Sequence, residues 1–255
     1  MYTIAIINQK GGVAKTTTAH AVAAGLSLKG FNVLMVDADG QKSLTSIAGA
    51  NRDSPGLYDV LMRQARPAEA ITTTDAGAIM PASAALGSIE AVLRNTGREY
   101  RLKEALKEIE GHFDFCIVDG PPSLGTLAVN ALTACNACII PAQADFLSLQ
   151  AIDQLGQTLE AVRAYTNKSL EVLGVLITRY NARAIISREV SDLMRERAEQ
   201  IKTKVFKTKI RECVAIKEAQ ALRQSIFNYA PRSNGAKDYI SLIGEILETI
   251  KKGVQ

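Results

Sequence analysis

Five short apolar runs, rich in β-branched residues, alternate along the chain with longer amphipathic stretches. Apolar runs of this length are typical of buried strands. They cover residues 2–8, 31–39, 113–122, 137–143 and 170–181. The third run ends in two prolines, which cannot continue a central strand. The pattern therefore predicts five buried strands.

Helical patterns fill the intervals between these strands. The first begins near Lys15 and ends at Gly30, because glycine often follows the C-terminus of a helix. Others cover residues 100–111, 147–166, 185–200 and 235–252. Strands that alternate with helices predict an α/β fold, with a mostly parallel central sheet flanked by helices on both faces. Residues 50–100 are less regular, and we expect one domain over residues 1–255.

Polar and charged residues cluster where three of the predicted strands end. These clusters are residues 10–17, 37–41 and 119–122. In open parallel sheets, ligands bind at the carboxyl ends of the strands. We therefore expect a ligand site formed by these three segments.

The composition is that of an ordinary soluble protein, with 47% hydrophobic and 22% charged residues in a chain of 255. No apolar run approaches the roughly 20 residues needed to span a bilayer. The N-terminus also lacks the basic region and apolar core of a signal peptide. We therefore expect a cytoplasmic protein with no membrane attachment.

Positive charge is concentrated in the C-terminal part of the chain. Residues 151–255 contain 18 Lys and Arg against 12 Asp and Glu, a net charge of +6, whereas the whole chain carries +4. The densest stretch, residues 201–211, has five basic residues and no acid. Such asymmetry is typical of proteins that bind a polyanion, although a solvated surface with no partner also explains it.

The segment "IINQKGGVAKTTTAH" has the features of a phosphate-binding loop but departs from the pattern G-x-x-x-x-G-K-[ST]. Gln9 and Ala14 occupy the two glycine places of that pattern. Gly11 and Gly12 still allow a tight turn whose amides face phosphate oxygens, and the following helix adds its positive N-terminal end. We expect three side chains to bind next to this turn: Lys15 the terminal phosphates, Thr16 a magnesium ion and Thr17 the α-phosphate.

"KGGVAKTT" resembles the deviant Walker A motif, K-G-G-x-x-K-[ST], of the ParA/MinD group of P-loop ATPases. The resemblance implies a P-loop NTPase fold that uses ATP and Mg²⁺. It also implies nucleotide contacts along the loop, including Val13 and Ala14, and a catalytic role for Lys15. Lys10 would be the signature lysine, which reaches across a homodimer to the ATP of the other subunit. Many members have glycine in place of Ala14, and alanine with a positive φ would cost about 1 kcal/mol.

Two acidic segments resemble further motifs of the same group. "VDADGQKSLT" is similar to D-x-D-P-Q-G-N, with Gly40 in the proline place and Lys42 in the glycine place. By this resemblance Asp37 lies near the magnesium ion, and Asp39 orients the attacking water. "FCIVDGPPSLG" resembles the Walker B strand, so Asp119 would hold magnesium through water. The resemblance therefore implies both a catalytic and a metal-binding role for Asp39 and for Asp119.

The C-terminal half resembles that of Soj-type partition ATPases, most clearly in "YAPRSNGAKDY". The resemblance implies that Arg179 and Arg211 border the adenine. It also implies nonspecific binding of double-stranded DNA by an ATP-dependent dimer, and hydrolysis stimulated by a centromere-binding ParB-like partner. The implied DNA contacts are Lys202, Lys204, Lys207, Lys209, Arg211, Lys217 and Arg223. The chain departs from the family at Arg211 and Ala215, which take a proline and an arginine place.

Cys135 and Cys138 form a C-x-x-C spacing, which redox and metal sites also use. They fall where a predicted helix passes into a buried strand, and no second pair accompanies them. Packing in the core is therefore the favoured interpretation.

Other members of the superfamily are alternatives to a partition protein. A MinD-type protein would end in a membrane-binding amphipathic helix, whereas residues 240–255 carry Glu245 and Glu248. A nitrogenase-reductase-like protein would need cysteines placed for an iron–sulfur cluster. A biotin-pathway or cobyrinate ligase, and a slow ATP switch that recruits a protein or regulates transcription without DNA carriage, also remain open. Because the chain begins at its first strand, we expect no N-terminal operator-binding domain.

Overall fold

Seven strands form one sheet in the computed structural model, which describes residues 1–50, 55–74, 76–181 and 185–253. The strands are β1 (Tyr2–Ile6), β2 (Val33–Asp37), β3 (Thr72–Thr74), β4 (Gly77–Met80), β5 (Phe115–Asp119), β6 (Ala137–Gln143) and β7 (Glu171–Thr178). Their order across the sheet is β3-β4-β2-β5-β1-β6-β7. Among these described strands, only β3 and β4 pair antiparallel. The predicted mostly parallel sheet is therefore confirmed.

Helices connect the parallel strands, as the pattern predicts. They are α1 (Lys15–Leu28), α2 (Ser43–Ile47), α3 (Leu57–Leu61), α4 (Ile89–Val92), α5 (Arg101–Glu108), α6 (Thr126–Ala134), α7 (Phe146–Tyr165), α8 (Ile185–Gln200), α9 (Val214–Ala221), α10 (Ile226–Tyr229) and α11 (Asn234–Gly253). Gly30 follows α1 with a φ of 88°, the left-handed conformation expected after a helix end. Among the described helices, none has both the length and the apolar character that crossing a membrane requires.

Two strands were not predicted. β3 and β4 have three and four residues and lie in the turn-rich region that showed no clear pattern. β4 adds to β2 in parallel, and β3 closes that edge of the sheet in the opposite direction. Runs of this length are too short to show the alternation from which a strand is predicted.

The sheet is buried on both faces. Alternate residues of β1 enter two separate clusters, with Ala5 on one face and Ile4 and Ile6 on the other. The register also aligns the strand ends, because Asp119 of β5 is the Cα partner of both Ile6 and Asp37. The three predicted polar segments therefore begin side by side, at the carboxyl ends of neighbouring strands.

Residues 202–211, which we call the basic edge, run along the outer side of β7. Val175 N–H donates to Lys204 O at 2.8 Å, and Phe206 N–H donates to Val175 O at 3.0 Å. Phe206 is buried against the sheet, whereas Lys204 and Lys207 are exposed. The most basic stretch of the sequence thus covers a sheet edge and presents its lysines outward, as protected edges often do.

We expect Gly174→Ala to destabilise the contact between β7 and the basic edge. A Cβ at Gly174 would lie 2.7 Å from the Phe206 ring and 3.1 Å from Lys204 O. Overpacking of this kind lowers the free energy of unfolding by about 1–3 kcal/mol, which urea denaturation measures. Gly111→Ala is the matched control, because its Cβ would meet nothing within 4 Å. Equal stability of the two variants would contradict the packing described.

Candidate functional site

The loop between β1 and α1 is fixed at its start by a buried asparagine. The Asn8 side chain is fully buried, and its nitrogen donates to Pro141 O of β6 at 2.8 Å. Its oxygen accepts the Lys10 N–H at 3.0 Å. Both ends of the amide are therefore satisfied, as buried polar groups require. Asn8 ties the loop to a neighbouring strand.

The second half of the loop is held by polar residues at the ends of β6 and β7. Gln143 Nε2 donates to Gly12 O at 2.8 Å. Thr178 Oγ1 lies 3.1 Å from Val13 O and donates to it. These contacts use the loop's carbonyl oxygens. Its amide N–H groups are the donors that a phosphate needs.

Left-handed backbone occurs at two positions of the loop, Gly12 with a φ of 74° and Ala14 with a φ of 66°. Ala14 therefore adopts a positive φ at a place where many members of the resembled family have glycine. Lys42, in the other glycine place, is also left-handed, with a φ of 60°. Both places therefore have left-handed backbone in this chain despite side chains that disfavour it.

Lys15 opens α1 and is 8% exposed. Its ammonium donates to Lys10 O at 3.1 Å. Burial lowers the pKa of Lys15, and the carboxylates of Asp119 and Asp39 oppose that effect. The N-terminal end of the α1 dipole is positive, and the Lys15 ammonium adds a further positive charge there. This end of α1 is therefore suited to bind an anion.

The Lys10 side chain contacts the start of α7 in the same chain. Its ammonium lies 2.6 Å and 2.5 Å from the two carboxylate oxygens of Asp145 and 3.3 Å from Ser148 Oγ. Asp145 also caps α7 by accepting Ser148 N–H at 2.9 Å. Burial alone would raise the pKa of Asp145, but hydrogen bonds from Lys10 and Ser148 hold it below its usual value. The ion pair is partly exposed, at 20% and 38% for the two side chains, so breaking it costs little.

The start of α1 is joined to the C-terminal helices. Gln220 Nε2 of α9 donates to Thr17 Oγ1 at 2.9 Å. Thr18 Oγ1 and Tyr239 OH of α11 lie 3.2 Å apart, both buried. Because the Thr17 hydroxyl accepts from Gln220, its proton is free to donate to a phosphate oxygen.

Asp37 and Asp39 have different surroundings. Asp37 is fully buried, and one of its oxygens accepts the N–H and the hydroxyl of Thr45, each at 2.7 Å. Burial raises the pKa of Asp37, against the lowering effect of these hydrogen bonds. Asp39 is only half-buried and accepts Gln41 N–H at 2.9 Å. Asp37 therefore holds α2 in place, whereas Asp39 lies at the surface of the site.

Asp119 has no hydrogen-bond partner for either carboxylate oxygen among the described residues, although it is fully buried. Burial raises the pKa of Asp119 well above its usual value, and the Asp37 charge adds to this. The nearby Thr16 hydroxyl and Lys15 ammonium act in the opposite direction. A buried carboxylate left without a partner is costly, so it indicates a position for a cation or its water.

A cavity of about 660 Å³ lies between the phosphate loop and the segments after β7. This volume suits a small-molecule ligand of nucleotide size. The predicted nucleotide-binding and metal-binding residues in its lining are Gly11, Gly12, Ala14, Lys15, Thr16, Thr17, Asp39, Arg179 and Arg211. The other residues predicted to bind nucleotide or metal are Lys10, Val13, Asp37 and Asp119, which are not part of this lining.

The two arginines predicted near the adenine differ in their contacts. Arg179 is exposed and has a left-handed φ of 48°. Arg211 makes a bidentate pair with Asp238, with Nη2 at 2.6 Å and Nε at 3.0 Å from the carboxylate oxygens. The pair fixes the plane of the Arg211 guanidinium at the cavity wall and offsets its charge.

The residues predicted to contact DNA occupy three places. Lys202, Lys204, Lys207, Lys209 and Arg211 follow the basic edge, where the Lys209 ammonium lies 4.1 Å from the centre of the Tyr180 ring. Lys217 is on α9 in the cavity wall, with its ammonium 3.9 Å from Glu212. Arg223 follows α9 and is exposed. The predicted DNA contacts are therefore divided between the basic edge and the region of α9.

Three of the four cysteines lie in the core, whereas Cys213 is half-buried in the cavity wall. Cys116, Cys135 and Cys138 are buried in one hydrophobic cluster, which confirms the interpretation of the C-x-x-C pair as packing residues. Across the described ranges, no group of three or more His, Cys, Asp or Glu side chains is placed to hold a metal by itself.

The chain has close relatives over almost its whole length. A family model described as an AAA domain matches residues 1–172. The sporulation initiation inhibitor protein Soj of Bacillus subtilis is 38% identical over 95% of this chain and 97% of its own. The chromosome-partitioning ATPase Soj of Thermus thermophilus is 38% identical over 98% and 96%. This chain belongs to the ParA/Soj family of partitioning ATPases.

Solved structures of the superfamily share the fold. The cobyrinic acid a,c-diamide synthase of Mycobacterium smegmatis, solved with ADP and magnesium, is 35% identical with a TM-score of 0.86, covering 99% of this chain and 96% of that one. The septum site-determining protein MinD of Pyrococcus horikoshii, solved with Mg-ADP, is 24% identical with a TM-score of 0.77, over 96% and 95%. The predicted P-loop NTPase fold is confirmed.

Sequence reasoning missed several residues that shape the site. Gln143 and Thr178 are polar residues at the ends of buried strands, the same signal that indicated the acidic segments. Asp145 stands directly before a helical pattern, where aspartate is a preferred N-cap. Gln220 lies inside a helix, and no local pattern connects it with Thr17.

Ala14→Gly should leave the free energy of unfolding unchanged or raise it by up to about 1 kcal/mol, because glycine adopts a left-handed backbone without strain. Ala221→Gly, at the exposed end of α9, is the matched control and should lower it by up to about 1 kcal/mol. Urea denaturation of the two variants measures both changes. A loss at Ala14 as large as that at Ala221 would contradict the strained backbone.

Proposed function

We propose that this protein is an ATP-driven DNA partition protein. It binds MgATP in the cavity, forms a dimer around the nucleotide, holds DNA without sequence preference and releases it after hydrolysis. The observation that carries the proposal is an arrangement at the carboxyl ends of the strands. There the phosphate loop, with left-handed Gly12 and Ala14, lies with the buried Lys15 and with the Asp119 carboxylate, which has no hydrogen-bond partner in the described part of the chain. Membership of the ParA/Soj family supports it.

The residues around Asp119 fit a magnesium ion. Both of its oxygens are buried without a hydrogen-bond partner among the described residues, and Thr16, in the first turn of α1, lies nearby. Magnesium prefers oxygen ligands and keeps several of its waters, so Asp119 would hold it through water and Thr16 through its hydroxyl. When bound, the ion supplies positive charge at the β- and γ-phosphates. Asp37, held by Thr45, would stand behind these ligands.

Phosphoryl transfer depends on positioning and charge rather than on covalent help from the protein. The loop amides at Gly11 and Gly12, together with Lys15, would bind the phosphates. Asp39, half-buried in the cavity wall, would orient the attacking water. Thr17 would donate to the α-phosphate while it accepts from Gln220.

Lys10 would act across the dimer. In the single subunit its ammonium is held by Asp145, in a partly exposed pair of the kind that contributes about 0–1 kcal/mol. The phosphates of the ATP bound to a neighbouring subunit carry more negative charge than the single carboxylate of Asp145. They would therefore draw Lys10 from Asp145, and Lys10 would counter the charge that develops during hydrolysis.

DNA would bind through phosphate contacts along the basic edge, which gives affinity without sequence information. A centromere-binding ParB-like protein would stimulate hydrolysis and so release the DNA.

One observation favours a second candidate, a slow ATP switch that recruits a protein and carries no DNA. Arg211 is neutralised by Asp238, and Lys217 lies near Glu212, so two of the expected cations are offset.

Asp119→Asn tests the magnesium site. Removal of an unpartnered buried carboxylate should raise the free energy of unfolding without nucleotide, by about 1 kcal/mol. It should also abolish the additional thermal stabilisation that magnesium gives in the presence of ADP. Asp37→Asn is the control and should destabilise the protein, because it disturbs two hydrogen bonds from Thr45. Magnesium-dependent stabilisation that persists in Asp119→Asn would contradict the assignment.

Retention of a random DNA duplex, by mobility shift, tests DNA carriage. We expect retention with ATP or a non-hydrolysable analogue but not with ADP, and loss of retention in Lys10→Ala. The double variant Lys204→Ala/Lys207→Ala should bind more weakly and reduce the slope of log K against log salt by about 2. The matched control is Lys103→Ala/Lys107→Ala on the exposed side of α5, which should change neither. Nucleotide binding without DNA retention in any state would favour the switch.

A further inference from the structure

A short segment contacts both the loop that follows β2 and the loop that follows β5. We call residues 82–92 the bridging segment. It comprises a 3-10 turn, Ala84–Ser88, and α4. It lies in the region that showed no clear sequence pattern. The segment contacts the structure around Asp37 and Asp39 at one end and the start of α6 at the other.

The first contact is between two glycine backbones. A Cβ on Gly40, directly after Asp39, would lie 2.9 Å from Gly87 N and 3.1 Å from Gly87 Cα. A Cβ on Gly87 would meet nothing within 4 Å. The close approach therefore depends on the absence of a side chain at Gly40, where the resembled family has proline.

The second contact ties the beginning of the segment to Asp37. Ala82 N–H donates to Thr45 Oγ1 at 2.9 Å. The same hydroxyl donates to the Asp37 carboxylate at 2.7 Å. The Thr45 hydroxyl therefore links the two, so a displacement of the Asp37 carboxylate also displaces the start of the bridging segment.

The third contact is made by Glu90. Its Oε1 accepts Thr126 N–H, the first amide of α6, at 2.9 Å. Gly125, the N-cap residue of α6, has no side chain to supply this bond, so Glu90 supplies it from another element. A carboxylate is also favoured at this position by the positive end of the helix dipole. Glu90 thus fixes the end of the loop that begins after Asp119.

We propose that Glu90 is a positioning residue for hydrolysis, and that the bridging segment makes the Asp39 loop and residues 120–125 move together. The proposal rests on the proposed function, because that function gives Asp39 the attacking water and gives Asp119, directly before residues 120–125, the magnesium ion. The sheet already joins the strand ends, since Ala38 N–H donates to Asp119 O at 3.0 Å. The bridging segment adds a link between the loops beyond those ends, through Gly87 and Glu90.

Steady-state hydrolysis and separate nucleotide binding test the role of Glu90. We expect Glu90→Ala to lower kcat by about tenfold and to leave the Kd for ADP within about twofold, because the phosphate loop is not displaced. Glu90→Gln should recover most of the rate, since its amide oxygen still accepts from Thr126. The matched control is Glu99→Ala, which removes a glutamate paired with Arg98. An unchanged kcat in Glu90→Ala, or an equal loss in Glu99→Ala, would overturn the proposal.

Hydrogen exchange tests the coupling of the two loops even if the wild-type protein hydrolyses no ATP. That outcome would defeat the proposed function and the role of Glu90 in hydrolysis, but not the coupling. Gly40→Ala should speed amide exchange in residues 123–126, and Gly87→Ala, its matched control, should not. In a double-mutant cycle, Gly40→Ala should have no further effect on these amides when Glu90 is already alanine. No change in Gly40→Ala, or the same change in both backgrounds, would overturn the coupling.

Discussion

The phosphate loop depends on three polar contacts to the strands beside it. Asn8, Gln143 and Thr178 bind main-chain groups of the loop or of a neighbouring strand, and Asn8 and Thr178 do so where water has little access. Because Gln143 and Thr178 donate hydrogen bonds to its carbonyl oxygens, the loop can keep Gly12 and Ala14 in the left-handed conformation. The cost of about 1 kcal/mol for left-handed alanine is offset by these contacts. Every role proposed for Lys10 and Lys15 follows from the position of this loop.

The two aspartates that end neighbouring strands show how surroundings separate roles. Asp37 and Asp119 are Cα partners, and both are fully buried. Asp37 receives two hydrogen bonds from Thr45, so its carboxylate is used within the structure. Asp119 receives none from the described residues and is available to a hydrated cation. The same residue type at equivalent positions therefore serves as a support in one strand and a candidate ligand in the other.

Much of the fold and the phosphate loop was predictable because the signals are local. Buried strands show as apolar runs, and "KGGVAKTT" brings its glycines, lysines and threonines together in one segment. The contacts that were not predicted join distant parts of the chain. Lys10 and Asp145 are 135 residues apart, and Thr17 and Gln220 are 203 apart. Side-chain partners at such separations follow from the packing of the sheet, which no local pattern describes.

In the proposed function, ATP joins two subunits and Lys10 leaves Asp145 to act on the partner's nucleotide. The most direct measurement is a crystal structure with a non-hydrolysable ATP analogue and magnesium. We expect a dimer in which the Lys10 ammonium lies within about 3 Å of an oxygen of the ATP phosphates held by the other subunit. Magnesium would lie beside Asp119 and Thr16. A monomer with the analogue bound and Lys10 still paired with Asp145 would contradict it.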